Sequence, residues 1–383
     1  MKMIKYNNKT QIIFYYFFLI LFILLTNQYF GYQESLIFGG ADGGNYIDIS
    51  NSFPKISTKE IQPIHSERFF FYYIFGFFSK LLNLDVYYIY RFFVFVLLAL
   101  INIFLILTLR EKKINLNIIL IFLSLVNLNP YITRFYIAVP TVLNDLIFLF
   151  GLTLFLYSFE NNKMKILISS LIILFFSRQT SVAIILAFIL TKIIYQEKFS
   201  FKKEKIFFII LLFIGIYLIN YQYSSQTFDG ENFRWEQYSP KMRLFGFFLQ
   251  EYTIKQKLIF LLLPFLSFLP LFLYFFIFRK LQKINFSLPK NPKHFLYIII
   301  CLLIILQPLL SGVLVTGKNI IRLTTLSYIL TLFLLLNFTM INQFRNKIIT
   351  IFFYLFIALW SLHPTFSNID IFKYLSEILN KNF

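Results

Sequence analysis

Long apolar runs constrain this chain more than any other feature of its sequence. The first covers Ile12 to Leu25, and runs of 14–24 residues recur from residue 86 to residue 362. A membrane-spanning helix needs about 20 mostly apolar residues, and a soluble domain has too little interior to bury so many runs. Of the 383 residues, 58% are hydrophobic and only 14% are charged. The sequence therefore predicts an all-α, polytopic transmembrane helical bundle.

Placing one helix on each run gives about eleven membrane spans. Beyond the first run, the spans cover residues 86–109, 115–129, 140–158, 164–177, 180–195, 205–222, 256–278, 294–312, 319–340 and 348–362. Arg68–Leu82 is also apolar, but it carries Gly76 and Lys80 and has only 15 residues. We expect it to be an interfacial helix on the membrane surface. The chain is then a single membrane domain, 1–383, with a first exterior loop at 31–85 and a second large exterior loop at 223–255.

The basic residues orient this bundle. The formal net charge is +19, and most Lys and Arg residues fall in short loops between the runs. With the N-terminus inside, the cytoplasmic segments hold 20 Lys and Arg against 4 acids, and the exterior segments hold 15 against 13. The positive-inside rule favours this orientation, with the C-terminus outside. We expect a multi-pass protein of a bacterial inner membrane, with membrane lipids but no nucleic acid among its partners.

Arginine is distributed differently from lysine. The chain has 26 Lys and 10 Arg, yet six of the ten arginines fall in exterior segments. These six are Arg68, Arg134, Arg178, Arg234, Arg243 and Arg322. A planar guanidinium is the preferred partner of phosphate or carboxylate. The distribution suggests an anion site on the exterior side, although chance among ten residues would also account for it.

A glycine-rich segment surrounds the first acid of interest. Residues 39–44 read Gly-Gly-Ala-Asp-Gly-Gly, with Asp42 as the acid and Tyr46 shortly after it. Glycine lets the backbone bend closely, and a carboxylate held at a membrane surface can serve as a general base. The alternative is that Asp42 caps a helix that begins near Asn45.

Three further candidates lie at the exterior ends of predicted spans. Arg68 could bind an anionic headgroup or anchor the interfacial helix, and Arg134 lies in the next exterior loop. Asp145 lies just inside a span, where an ionisable group is costly. It therefore indicates either a functional site or burial against a neighbouring helix.

Two exterior turns carry additional cations. Arg178 lies in the turn Ser177-Arg178-Gln179-Thr180 between two predicted spans. Lys318 and Arg322 lie at the start of a predicted helix, which is a favourable place for an anion. This last pair could instead contact lipid headgroups.

Metal ligands are scarce. The single cysteine, Cys301, lies inside an apolar run, so the chain has no disulfide framework. His65, His294 and His363 are far apart in the sequence. We expect no metal site built from cysteine or histidine.

The layout of the chain resembles the GT-C superfamily of membrane glycosyltransferases. The features that carry the resemblance are the first helix, the exterior loop with Asp42 and Tyr46, the interfacial helix, the Arg178 turn and the segment from Gly317 to Arg322. The resemblance implies a hexosyltransferase-like enzyme that uses a polyprenyl-phosphate sugar from the outer leaflet. Asp42 would take the proton of an acceptor hydroxyl, which attacks the anomeric carbon with inversion. Cations would hold the departing lipid phosphate: Arg178, Lys318 and Arg322 first, with Arg68 and Arg134 in reserve.

Some features depart from that family, and further function classes stay open. Asp42 is solitary instead of part of an acidic pair, and no large exterior domain follows the last span. No cofactor is expected with certainty, a divalent metal stays possible, and the acceptor is unknown.

A lipid or glycan flippase would show internal repeats or broken helices at mid-membrane, and no internal repeat is visible. The sequence is also compatible with a glycan polymerase of the cell envelope and with a non-catalytic membrane subunit.

Overall fold

The computed structural model describes residues 2–30, 43–199, 201–227, 240–282, 291–316, 319–339 and 347–362. These residues form helices and turns, and none of them lies in a β-strand. The predicted all-α class is therefore confirmed. Within the same residues, no group of three or more His, Cys, Asp or Glu side chains could hold a metal ion.

The helices of the first part of the chain range in length from 4 to 29 residues. They are α1 (Lys2–Phe30), α2 (Gly43–Ser52), α3 (Pro63–Ser66), α4 (Phe69–Leu82), α5 (Val86–Glu111), α6 (Leu116–Asn127), α7 (Phe135–Ala138) and α8 (Leu143–Glu160). A single π-helical turn, Pro130–Arg134, leads into α7.

The second part continues in the same manner. Its helices are α9 (Met164–Ser177), α10 (Val182–Tyr195), α11 (Lys203–Thr227), α12 (Pro240–Leu249), α13 (Ile254–Gln282), α14 (Pro292–Thr316), α15 (Ile320–Thr324), α16 (Tyr328–Thr339) and α17 (Lys347–Ser361). Short 3₁₀ turns precede α10 and α16, at Gln179–Ser181 and Thr325–Ser327.

Several of these helices are long and apolar enough to cross a membrane. Five pass by length and composition: α5, α8, α11, Ile254–Leu273 of α13 and Pro292–Gly312 of α14. A sixth is added if α6 and the segment Pro130–Ala138, bent by 44° against it, form one span. The predicted count of eleven is not confirmed. Helix α9, for example, has 14 residues and is about 21 Å long, shorter than a hydrocarbon core of about 30 Å.

Two predicted spans contain breaks that an apolar run conceals. The predicted span 319–340 is divided into α15 and α16 by Thr325–Ser327. The hydroxyl groups of Thr324, Thr325 and Ser327 donate to backbone carbonyls three or four residues earlier, which satisfies polar groups at the break. Helix α14 is interrupted near its end at Gly312, whose φ of 74° favours glycine.

The predicted exterior loops contain helices of their own. In the first, α2 crosses α4 so closely that a Cβ on Gly76 would lie 2.0 Å from the carbonyl oxygen of Ser50. Helix α4 has the bounds of the segment Arg68–Leu82 within one residue, and its position relative to the membrane stays a prediction. In the second loop, α12 packs against α14, where a Cβ on Gly246 would lie 2.1 Å from the carbonyl oxygen of Ser311. From the sequence, a helix near Asn45, now α2, was only an alternative, and α3 and α12 were not predicted.

Helix α8 is the centre of the bundle. Of its residues, 89% are buried, and it packs against α5, α9 and α16. Its first turn carries Asp145, and its last residue is Glu160, which pairs with Lys112 at 2.7 Å and accepts from the Tyr297 hydroxyl at 2.7 Å. Eighteen residues of helix separate its two ends by about 27 Å. The charged side chains of the two ends therefore belong to separate groups.

Candidate functional site

Asp145 is a fully buried carboxylate at the start of α8. It forms an ion pair with Arg178, and its Oδ2 lies 3.3 Å from Nε of Arg322. Arg178 follows α9 and Arg322 lies on α15, so three distant parts of the chain meet at this acid. The first turn of a helix is also a favourable place for negative charge. Asp145 therefore holds two arginines together in the protein interior.

The turn after α9 is built to direct Arg178 inward. Helix α9 ends at Ser177, and the backbone of Arg178 is extended, with φ −155° and ψ 146°. The hydroxyl of Ser181 donates to the carbonyl oxygen of Arg178 at 2.7 Å. The hydroxyl of Thr180 donates to Oε1 of Gln307 at 2.7 Å, which ties the turn to α14. Ser181 thus satisfies the backbone carbonyl of Arg178, Thr180 anchors the turn to α14, and the guanidinium of Arg178 reaches Asp145.

Arg68 approaches the same turn from the first loop. Its Nε donates to Oε1 of Gln179 at 3.0 Å, and its Nη1 donates to the hydroxyl of Tyr46 at 3.3 Å. Nδ1 of His65 lies 3.0 Å from that hydroxyl. The ring of Tyr46 stacks on Tyr72 with centroids 4.1 Å apart. The two groups that accept hydrogen bonds from Arg68 in these contacts, the Gln179 side chain and the Tyr46 hydroxyl, are uncharged.

We call Arg68, Arg178, Arg322 and Asp145 the arginine cluster. The three arginines are each at most 8% exposed. Burial lowers the pKa of the Arg178 guanidinium, and the positive charges of Arg68 and Arg322 lower it further. The ion pair with Asp145 opposes this shift, and an arginine starts from so high a pKa that it stays protonated at neutral pH. Among the described residues, the cluster thus has three cations and one carboxylate.

Several buried polar atoms beside the cluster have no hydrogen-bond partner. They are Nε of Arg178, the hydroxyls of Tyr136 and Thr141, and Oδ1 of Asn144. Tyr136 is fully buried, and its hydroxyl lies close enough to Arg178 and Arg322 to interact with both charges. Leaving such a group unsatisfied costs about 1–3 kcal/mol, so native proteins satisfy most of them with protein, water or ligand. The unused hydrogen-bonding capacity is typical of a place that accepts a polar ligand.

A second carboxylate marks the more accessible side of the site. Oε2 of Glu67 accepts from Nε2 of Gln179 at 2.6 Å and pairs with Nη1 of Arg243 at 3.2 Å. The side chains of Glu67 and Arg243 are 13% and 25% exposed. This pair links α12 to the Arg178 turn, so the second loop borders the site. Glu67, Arg243 and Tyr136 were not among the predicted site residues, although Glu67 directly precedes Arg68 and Arg243 is one of the six arginines predicted to lie in exterior segments.

An apolar crevice of about 340 Å³ lies between α1, α5 and the bent segment 130–138. Thr133 and Ile137 of that segment line the crevice. Phe135 of the same segment lies against the arginine cluster, with its ring centroid 5.3 Å from Cζ of Arg322. One short segment therefore separates an apolar crevice from a cluster of cations.

The predicted site residues fall into three groups. The structure brings together Tyr46, Arg68, Asp145, Arg178 and Arg322. It places Arg134 elsewhere: its guanidinium donates to the hydroxyls of Ser361 at 2.8 Å and Thr26 at 2.6 Å, and joins the π turn to α17 and α1. Asp42 and Lys318 lie outside the described residues.

The surroundings of Asp42 are partly described. A helix does begin next to it, at Gly43, as the interpretation of Asp42 as a helix cap requires. Gly43 also packs against the site, because a Cβ there would lie 2.8 Å from Oγ1 of Thr141. The sequence position of Asp42 is compatible with both interpretations, so only a functional test separates them.

Comparison with known proteins gives no match: no family model, no curated protein and no solved structure matches this chain. The chemistry of the arginine cluster is therefore the basis for assigning a function.

Proposed function

We propose that the protein is a membrane glycosyltransferase that moves a sugar from a polyprenyl-phosphate donor to an acceptor hydroxyl, with inversion, on the non-cytoplasmic side of the membrane. The observation that carries this proposal is the arginine cluster. Guanidinium groups bind phosphate oxygens in a bidentate manner, and in a buried site they stabilise negative charge far better than in water. Three of them beside one carboxylate favour an anionic ligand.

The apolar surroundings support a lipid as the carrier of this anion. The crevice beside the bent segment 130–138 is lined mainly by apolar side chains of α1 and α5, including Ile20, Leu24, Phe95 and Ile103. These four side chains are about half exposed and belong to apolar helices, so in a membrane they would contact hydrocarbon. A lipid phosphate could therefore place its headgroup at the cations and its chain in an apolar environment.

The charges at the two ends of α8 support the orientation. The end remote from the arginine cluster carries Lys112 and Lys163, paired with Glu160 and Glu111, and Lys293 also lies there. The positive-inside rule puts this lysine-rich end in the cytoplasm. The arginine cluster then faces the exterior, with the N-terminus inside, the C-terminus outside and α4 along the outer surface.

In the proposed mechanism, Asp42 is the general base. It precedes Gly43, which packs on Thr141 beside the cluster. The acceptor hydroxyl gives its proton to Asp42 and attacks the anomeric carbon from the side opposite the phosphate. Arg178 and Arg322, held by Asp145, stabilise the charge on the departing phosphate, and Arg68 and Tyr46 line the site. Each step of this mechanism is carried by side chains of the protein.

The Asp42→Asn variant tests the proposal. Asparagine is as good a helix cap as aspartate, so folding is retained, but it cannot accept the proton. We expect sugar transfer from a polyprenyl-phosphate sugar by the purified protein to fall by about 10²–10⁴-fold, the usual contribution of a positioned base.

The matched control is Asp48→Asn, which removes a carboxylate that is 28% exposed and paired with Lys59 outside the cluster. Its activity should equal that of the natural protein. Full turnover by Asp42→Asn would show that this residue is only a cap. Lipid transport without sugar transfer by the natural protein would favour a flippase, and a product of many sugar units would favour a polymerase.

A further inference from the structure

Helix α12, in the predicted second exterior loop, has two sides of different character. Residues four apart lie on the same side of a helix. Four large apolar side chains form one side and are each between 45% and 66% exposed: Leu244, Phe245, Phe248 and Leu249. The other side packs against the protein through Gly246 and Phe247. A short helix in a loop thus exposes a continuous apolar face.

The packed side of α12 places it beside the ends of two candidate membrane spans. The ring of Phe247 stacks on Phe260 of α13, with centroids 6.3 Å apart. Phe260 lies about 9 Å along α13 from Ile254, where that candidate span begins. Gly246 closely approaches the backbone of Ser311, next to the end of the candidate span in α14. Helix α12 therefore lies next to both spans and not far out in water.

The charges of α13 mark the depth of this contact. The residues 258–273 of α13 include no charged side chain, whereas Lys257 directly precedes them. Charge is costly in hydrocarbon, so the boundary of the hydrocarbon core lies near Lys257. Nζ of Lys257 lies 5.5 Å from the centroid of the Phe247 ring, and the same ring packs on Phe260. Phe247 thus contacts residues on both sides of the boundary, which puts α12 at the depth of the lipid headgroups.

We propose that α12 docks on the bilayer through its exposed apolar face and lies along the membrane interface on the side of the arginine cluster. An interfacial helix inserts its apolar side chains about 5–10 Å into the boundary between headgroups and acyl chains. With 10 residues and a length of about 15 Å, α12 is too short to cross a hydrocarbon core of about 30 Å. Lys241 is exposed on the same side of the helix, where its ammonium group can reach lipid phosphates.

The neighbouring helix identifies lipid as the partner. Helix α13 also exposes apolar side chains at this end, at Ile254, Leu258 and Leu262, which are spaced four residues apart. A membrane span exposes such a stripe to hydrocarbon, so lipid surrounds the helix on which α12 packs. A bilayer covers exposed apolar surfaces of adjacent helices at the same depth. The inference rests on exposure and packing and does not depend on the proposed function.

Docking of α12 would also connect the bilayer to the edge of the candidate site. Nη1 of Arg243 pairs with Oε2 of Glu67 at 3.2 Å, and the same oxygen accepts from Nε2 of Gln179 in the Arg178 turn. The hydroxyl of Ser311 donates to the backbone carbonyl of Arg243 at 2.5 Å. These contacts tie α12 to the site, so the edge of the site lies at the level of the lipid headgroups.

Fluorescence quenching by lipids tests the docking. Phe248→Cys and Leu244→Cys each carry an environment-sensitive label in the full chain, in phosphatidylcholine nanodiscs with or without bromine atoms on the acyl chains. We expect the brominated lipid to reduce the emission at both positions, as it should for the reference Leu262→Cys on the exposed stripe of α13. The control, Lys59→Cys, lies outside the helices with its side chain 69% exposed and should keep its emission. The natural Cys301 is buried and should add little background.

Emission that the brominated lipid leaves unchanged at both α12 positions would overturn the inference. A disulfide that links two Phe248→Cys chains would then identify a second copy of the protein as the partner, and its absence would indicate a face in contact with water. If one labelled variant does not fold, the other provides the measurement. The outcome is separate from sugar transfer: quenching supports the docking in a protein with or without that activity, and unchanged emission leaves the proposed function intact.

Discussion

At the scale of the residue, Asp145 determines how the positive charges of the site are held. Its carboxylate contacts Arg178 and Arg322 and is only 1% exposed. Burying a charge is expensive, and a buried pair is tolerated because its partners compensate one another. The sequence left open whether Asp145 belongs to a functional site or is buried against a neighbouring helix, and its contacts now indicate that it positions the two arginines. A ligand would bind to the arginines more than to the acid.

This arrangement predicts a large effect on stability. Asp145→Ala leaves two buried guanidinium groups without their shared carboxylate, and we expect a loss of about 3–5 kcal/mol in the free energy of unfolding. Thermal unfolding in detergent measures it. Asp48→Ala removes an acid from a partly exposed pair with Lys59 and should cost at most about 1 kcal/mol. Equal losses in both variants would show that the pairing of Asp145 contributes little.

At the scale of the element, close helix crossings position the loop helices against the spans. Helix α2 meets α4 at Gly76, one turn after Tyr72, whose ring stacks on Tyr46 of α2. Tyr72 also donates from its hydroxyl to the carbonyl oxygen of Thr141 at 2.8 Å. The crossing therefore links the first loop to the start of α8, where Asp145 lies.

Two glycine substitutions test the crossing. Gly76→Ala would place a methyl group 2.0 Å from the carbonyl oxygen of Ser50, and overpacking of this kind costs about 1–3 kcal/mol. Gly215→Ala, inside α11, meets no atom within 4 Å and should stabilise the helix by up to about 1 kcal/mol. Thermal unfolding of both variants provides the comparison. A Gly76→Ala protein as stable as Gly215→Ala would contradict the close approach of α2 and α4.

At the scale of the whole molecule, the two ends of α8 divide the charged residues into an arginine cluster and a lysine-rich end. The α8 residues between Asp145 and Glu160 carry no charge, so the ionisable groups of this helix lie near its ends. This division is what a membrane protein needs, because charge at the bilayer centre is costly. It also gives the proposed orientation a direct test.

Cysteine labelling from outside the cell provides that test. Lys59→Cys lies on the side of the arginine cluster and Lys163→Cys on the lysine-rich side; both side chains are well exposed, at 69% and 41%. The natural Cys301 is buried and should give little background. We expect a membrane-impermeant maleimide to label Lys59→Cys in intact cells, and Lys163→Cys only after permeabilisation. The reverse pattern would invert the orientation, and labelling of both in intact cells would contradict the separation of the two ends.

The sequence predicted helices well where the signal is local. The run 164–177 became α9 with the same bounds, and Arg68–Leu82 became α4, because hydrophobicity and helix-ending residues act over a few neighbours. It missed α12, which lies in a mixed segment, it offered α2 only as an alternative, and it joined α15 to α16 across a break. The mean hydropathy of a segment does not reveal such a break. A few hydroxyl side chains can satisfy the backbone hydrogen-bonding groups at the break, and they do not end the apolar run.

By itself, the sequence determined that the chain is helical, apolar enough for a membrane and provided with arginines near the ends of its helices. Only the tertiary structure decided which of these arginines meet. Arg178 and Arg322 share Asp145, whereas Arg134, equally plausible from its position, bonds to Thr26 and Ser361. The reason is physical: helix formation depends on neighbouring residues, but the meeting of distant side chains depends on how whole helices pack, which no local pattern records.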